Sequence, residues 1–132
     1  MPKHILMIDD EEAICHFTKL NLERKGEFVV TTALSGAEGI EKAKTEPFDL
    51  VITDFRMPGL TGIDVLNAVK AITPRCPVVL FSIYHDDESV LPRAVKAKAD
   101  GVISKPIDHE QLYALIQDVL AKHQSTGKGE RS

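Results

Sequence analysis

The sequence predicts an α/β domain: a parallel sheet of five strands, doubly wound, with five helices on its two faces. Three observations predict it. Four short apolar runs, Ile5-Leu6-Met7-Ile8, Leu50-Val51-Ile52, Val78-Val79-Leu80-Phe81 and Val102-Ile103, plus a more mixed Phe28-Val29-Val30-Thr31, show no polar–apolar alternation. Unbroken runs of this kind suit strands buried on both faces. Stretches with helical period separate them, and cap and turn residues fall at the junctions. Strand and helix alternating five times imply right-handed crossovers in one sheet.

The elements follow in order. After the first strand, Ala13, Phe17 and Leu20 mark a helix that Gly26 closes, as a C-terminal glycine does. Ser35 caps the second helix, whose stripe is Ala37, Ile40 and Ala43. Thr61 caps the third, with Leu66, Val69 and Ile72. The fourth helix, over 86–97, is the weakest. Pro92 within it removes a hydrogen bond at a cost of about 3 kcal/mol unless it lies in the first turn, so this helix starts near Leu91 or is kinked. The last helix is the clearest. Leu112, Leu115, Ile116, Val119 and Leu120 fit the i, i+3, i+4, i+7, i+8 pattern behind Asp108 as N-cap. These elements occupy 1–123. Residues 124–132 are polar, carry Gly127 and Gly129, and read as a frayed tail or the start of a linker.

Composition excludes several classes. The chain has 132 residues, enough for one domain. With 16 basic and 20 acidic residues its net charge is −4, which argues against direct nucleic-acid binding. Aromatics are few and Trp is absent, so a stacking platform is not expected. No apolar run approaches the ~18–20 residues of a spanning helix. The apolar stretch near the start is only Ile5–Ile8 and runs into Asp9-Asp10, unlike a signal-peptide core. The expectation is a cytoplasmic protein without membrane insertion. Cys15 and Cys76 read as reduced, buried thiols. His4, His16, His85, His109 and His123 have no metal-ligand spacing, and Lys96 and Lys98 read as a solvated helix end.

The polar residues that follow the strands carry the chemistry. Asp9 and Asp10 follow the first strand, Asp54 ends the third, Ser82 the fourth and Lys105 the fifth. All therefore lie at the carboxyl edge, where open α/β sheets bind ligands at the reversal of strand order. With the order 2-1-3-4-5, strands 1 and 3 flank that point and the three aspartates converge there. Clustered carboxylates repel unless a cation joins them, and an oxygen-only set with room for water suits Mg²⁺. Mg²⁺, a lysine and a hydroxyl are also the means of phosphoryl transfer, in which a carboxylate can be the nucleophile. Asp54, alone on the central strand, is the candidate. Glu11 and Glu12 favour the first helix's N-terminus, with at most an indirect effect on the metal.

Ile8-Asp9-Asp10-Glu11, Asp54-Phe55-Arg56-Met57-Pro58-Gly59, Ser82 and Lys105-Pro106 together resemble a response-regulator receiver domain of two-component signalling, over residues ~3–123. The resemblance implies the flavodoxin-like fold and a phosphorylation switch. In it Asp54 takes phosphate from a phosphohistidine on a sensor histidine kinase or phosphotransfer protein. It further implies Mg²⁺ on Asp10 and Asp54 directly, on Asp9 through water, and on the Arg56 backbone carbonyl. Lys105 would pair with the phosphoryl group, Ser82 would be the switch hydroxyl, and the Lys105–Pro106 bond would be cis. Such a domain catalyses its own phosphotransfer and slow autodephosphorylation without being a stand-alone enzyme.

Departures from the family pattern carry their own expectations. Ile83 replaces the usual small residue after the switch hydroxyl, restricting small phosphodonors or water. Val102 replaces an aromatic rotamer switch, so activation is read out otherwise, for example by backbone shifts of the fourth helix. Lys98 stands where glycine commonly ends that helix, predicting either a left-handed Lys98 or a rebuilt turn. Arg56 and Tyr84 are expected to flank the mouth of the site and hinder attack by water. A phosphatase would need a second aspartate where Arg56 stands, and Asp9-Asp10-Glu11-Glu12 would repel a flavin phosphate. The remaining rival is a non-phosphorylated pseudo-receiver acting as an interaction module. The output partner, a homodimer through the fourth and fifth helices, and whether the chain stands alone or belongs to a longer protein stay open.

Overall fold

Side chains alternate across a strand, and that alternation sorts the apolar runs into two cores. Ile5, Met7, Leu50, Ile52, Val79 and Phe81 point to one face, and Leu6, Ile8, Val51, Val78 and Leu80 to the other. The computed structural model describes residues 2–82, 98–104 and 108–131. Its strands are β1 (Lys3–Ile8), β2 (Phe28–Ala33), β3 (Leu50–Asp54), β4 (Val78–Ser82) and β5 (Gly101–Ser104). They form one sheet in the order β2-β1-β3-β4-β5, with every pairing parallel. Helix α1 (Glu12–Glu23) and the C-terminal helix (His109–Arg131) cover the first face through Cys15, Leu22, Leu112, Ile116 and Val119. Helices α2 (Gly36–Thr45) and α3 (Gly62–Ile72) cover the second, α3 through Val65, Leu66 and Val69. The helix expected over 86–97, with Pro92 and Lys96, lies outside the described residues.

The caps form as the sequence predicts. Ser35 accepts the Glu38 N–H, Thr61 and Asp64 form a reciprocal capping box, and Asp108 accepts the N–H groups of Glu110 and Gln111. Gly26 takes a positive φ of 78° just beyond α1. Both cysteines are free and buried. Burial pushes the Cys76 thiol up to about 11, against the nearby Lys70.

Two expectations change. The buried face of α1 is Cys15, Thr18 and Leu22, whereas Phe17 and Leu20 are 58% and 52% exposed and Ala13 is exposed too. The two stripes are offset by two residues, about 200° around a helix, so only one can meet the sheet. Leu22 packs into the core, and the Cys15 thiol donates to the Asp9 carbonyl at 3.4 Å.

On α2, Ile40 and Ala43 pack against the second core as expected, but Ala37 is exposed and the fully buried residues are Gly36 and Gly39. A Cβ at Gly39 would fall inside the Ile8 side chain, so glycine lets α2 lie close against β1.

Lys98 is helical, and among the described residues no non-glycine φ is positive. Of the two outcomes expected there, the rebuilt turn is the one found: it is built around Asp100, whose carboxylate holds Lys70, the Val78 N–H and His123.

The C-terminal helix is continuous from His109 through Arg131. Once a packed segment nucleates a helix, each added residue gains a backbone bond, and glycines cost only about 1 kcal/mol each.

Edge strand β2 is closed by side chains. Glu23 accepts the Val30 N–H at 2.8 Å, and Lys19 donates to the Val30 carbonyl at 2.6 Å. Glu38 accepts the Leu34 N–H at 3.0 Å, and Lys42 donates to the Thr32 carbonyl at 2.6 Å. Lys19–Glu23 and Lys42–Glu38 are themselves i,i+4 ion pairs. Burial would raise the Glu23 carboxyl, but the Val30 N–H and Lys19 hold it below its usual range. The Leu34 N–H and Lys42 do the same for Glu38. Charged covers of this kind block pairing with another chain. Replacing Lys19 and Lys42 together by Met is therefore expected to produce concentration-dependent self-association in sedimentation velocity. A double variant that stays as monodisperse as the parent would refute closure by these lysines.

Candidate functional site

The ends of β1 and β3, neighbours at the point where strand order reverses, build the site. The Asp9 N–H still donates to the Ala33 carbonyl at 3.1 Å, extending the ladder one residue beyond β1. The Asp9 side chain is fully buried and accepts the Glu11 N–H at 2.9 Å. That bond is an Asx turn: it folds the chain back so that Glu11 lies over Asp9. Asp54 closes β3 in register with Phe81, is 6% exposed, and accepts the Arg56 N–H at 3.4 Å. Glycine fixes the next turn. A Cβ at Gly62 would lie 2.5 Å from the Asp54 carbonyl oxygen and 2.8 Å from the Phe55 Cα. Only glycine lets α3 start this close to β3, and the Gly62 N–H donates to the Phe55 carbonyl at 2.9 Å.

Oxygens of Asp9, Glu11 and Asp54 all lie within 4.8 Å of one another. Asp10 is exposed and is not part of this set. Glu11, read from sequence as a helix N-terminal charge, is brought in by the Asx turn. The signal for it was the run Asp9-Asp10-Glu11 itself, in which the third acid follows a turn-forming aspartate by two positions. Arg56 has an exposed side chain and borders an open cleft of about 410 Å³ with Met57, Pro58 and Thr61. Ser82 ends β4 at the same sheet edge, in register with Ser104. Ile83, Tyr84, Lys105 and Pro106 lie outside the described residues. Val102 is partly buried and packs into the core beneath α3.

Three clustered carboxylates, two of them removed from water, are costly without positive charge. The donor set is hard oxygen, so it fits a hard divalent cation that keeps several waters, such as Mg²⁺. A bound Mg²⁺ would supply charge neutralisation for oxygens gathered at Asp54.

A five-stranded doubly wound sheet with carboxylates at its switch point defines an α/β domain that binds its ligand at the carboxyl edge of the sheet. The sequence profile of the response regulator receiver domain matches residues 5–117, and the chain belongs to that family, the phosphorylation-dependent switches of two-component signalling. Among curated relatives, the transcriptional regulatory protein GlrR of Escherichia coli is 35% identical over 122 residues, covering 90% of this chain and 26% of GlrR. CseB of Streptomyces coelicolor is 32% identical, covering 98% of this chain and 54% of CseB. The chain thus spans about a quarter to a half of the length of these relatives. Among solved structures, a CheY-like receiver domain protein from Methanospirillum hungatei superposes with a TM-score of 0.85 at 27% identity, covering 96% of this chain and 99% of that one. A receiver domain protein from Clostridium thermocellum gives 0.81 at 33% identity, covering 94% and 98%. The family generally binds Mg²⁺ at an acidic pocket and is served by histidine kinases. Among the described residues no helix is long and apolar enough to cross a membrane.

Proposed function

We propose that Asp54 is the phosphoacceptor of this receiver domain, with the switch unit spanning 1–123 in the cytoplasm. The observation that carries this reading is the meeting of Asp9, Glu11 and Asp54 oxygens within 4.8 Å at the switch point of the sheet. An Asp54 carboxylate oxygen attacks the phosphorus of a phosphohistidine on a sensor kinase or phosphotransfer protein. The phosphorus–nitrogen bond breaks, its electron pair returns to the imidazole, and an acyl phosphate remains on Asp54. Asp9, Asp10, Asp54 and the Arg56 carbonyl would hold Mg²⁺, and Glu11 joins them as a further candidate. Lys105 would pair with the new phosphoryl charge and Ser82 would hydrogen-bond it. The phosphorylated state adds nearly two negative charges, which bias a two-state equilibrium that an output partner reads. A homodimer through the last two helices is one form of that output. His123, bound to Asp100 at 2.9 Å, supports ending the unit at 123.

The test is incubation with Mg²⁺ and a donor, once with a phosphorylated kinase and once with acetyl phosphate, followed by intact mass. A gain of one phosphoryl group, lost on omitting Mg²⁺, is expected. No gain with either donor would leave the pseudo-receiver instead.

A further inference from the structure

Glu11 is the N-cap residue of α1, with a φ of −91° and a ψ of 105°. That place favours Ser, Thr, Asp or Asn, whose short side chains reach the first helical N–H groups. The Glu11 side chain makes no such cap bond. Its backbone is held on both sides: the N–H donates to Asp9 Oδ1 at 2.9 Å, and the carbonyl accepts the Cys15 N–H at 3.2 Å. The helix dipole favours a carboxylate at this end whichever way it points, and Glu12 and the exposed Asp10 already supply that charge. Neither capping nor the dipole therefore accounts for where the Glu11 side chain lies. One of its oxygens comes within 4.8 Å of oxygens of both Asp9 and Asp54.

The number of carboxylates bears on which cation the site takes. Mg²⁺ is small, demands octahedral geometry, gives up water reluctantly and is usually held by about one or two carboxylates. Ca²⁺ takes roughly six to eight oxygens in flexible geometry, and its affinity is tuned by the number of charged ligands. Asp9 and Asp54, both buried, already supply what Mg²⁺ needs. Glu11 differs from them in two ways: it is exposed, and its side chain is one methylene longer than that of aspartate. Its carboxylate can follow a larger ion or swing clear of a smaller one. We infer that Glu11 is the specificity-determining ligand of this cation site, and that it lets the site take Ca²⁺ in competition with Mg²⁺. The inference deepens the reading of the acidic cluster as a cation site and rests on it. It does not depend on which carboxylate accepts phosphate.

The test is cation binding to the full chain followed by amide NMR, with MgCl₂ in one series and CaCl₂ in the other. Ionic strength is held constant with NaCl, and no phosphodonor is present. The parent is expected to bind both ions saturably, with perturbations centred on residues 9–11 and 54–56. Glu11→Gln keeps the length of the side chain and removes its charge. It is expected to weaken Ca²⁺ about tenfold and Mg²⁺ no more than about twofold, so that the ratio of the two dissociation constants shifts about fivefold in favour of Mg²⁺. Glu12→Gln makes the same charge change one residue further on, in the first turn of α1. It is expected to leave that ratio unchanged, which separates ligation from long-range charge. A parent that binds Mg²⁺ alone, a ratio unmoved by Glu11→Gln, or one moved equally by Glu12→Gln would overturn the role of Glu11 and leave the cation site standing. Saturable binding of neither ion would overturn the site itself and this role with it.

Discussion

Asp54→Asn is expected to abolish phosphate uptake completely and, at the same time, to raise thermal stability. The two effects have one cause. Asp54 is nearly buried beside the fully buried Asp9, and their carboxylates share a cluster with Glu11. Two unit charges about 5 Å apart repel by roughly 3 kcal/mol at an effective dielectric constant near 20. Other contacts of Asp9 and Asp54 offset part of that repulsion, so a gain of about 1–2 kcal/mol is expected, or several degrees for a domain of this size. The isosteric amide keeps the volume and still accepts the Arg56 N–H. It removes the nucleophilic oxygen pair and one charge from the cation set. Calorimetry with and without Mg²⁺ checks this. In the parent protein Mg²⁺ stabilises by mass action, about 1.4 kcal/mol at ten times its dissociation constant, and in Asp54→Asn that increment should largely vanish. An unchanged Mg²⁺ increment would mean that Asp54 is not part of the cation site.

The sheet was legible because buried parallel strands write themselves as unbroken apolar runs, and because the residue after each run marks one edge. The meeting of Asp54 with its neighbour Asp9 follows from that edge alone. The helix faces were less legible. Helix α1 carries two stripes of helical spacing, and apolar character favours Phe17 and Leu20 over the Cys15, Thr18 and Leu22 that the sheet covers. Helix α2 buries glycines, which no hydrophobic pattern can reveal, since their role is the space they leave for Ile8 and Leu60. Glu11 was hidden for a different reason: its place depends on a hydrogen bond from its own N–H to Asp9, a turn rather than a period. The rebuilt turn at Lys98 was anticipated as one of two outcomes, but its agent was not. Asp100 gains its role only when α3, β4 and the C-terminal helix converge on it.

That convergence makes Asp100→Asn the most destabilising single charge removal expected here. Its Oδ2 accepts from Lys70 Nζ and from the Val78 N–H, both at 2.8 Å, and its Oδ1 lies 2.9 Å from His123 Nε2. The carboxylate is only 22% exposed and Lys70 only 25%, so removing the charge leaves a half-buried ammonium poorly matched. Lys70 also donates to the Cys76 carbonyl at 3.0 Å, and its loss of position loosens the turn into β4. A cost of about 2–3 kcal/mol is expected. Burial alone would push the Asp100 carboxyl up, but Lys70, His123 and the Val78 N–H outweigh it and hold it below the usual carboxylate value. A depressed carboxyl contributes stability that is fully present above its unfolded value of about 3.9. That contribution fades as pH falls through the lower folded value. Urea unfolding of both proteins at neutral pH and again near pH 3 checks the sign. The gap between parent and Asp100→Asn should be widest at neutral pH and shrink in acid, because protonation makes the parent resemble the variant. A gap of constant size across that range would show that Asp100 acts through shape rather than charge, and that the ion pairs joining α3 to the C-terminal helix contribute little.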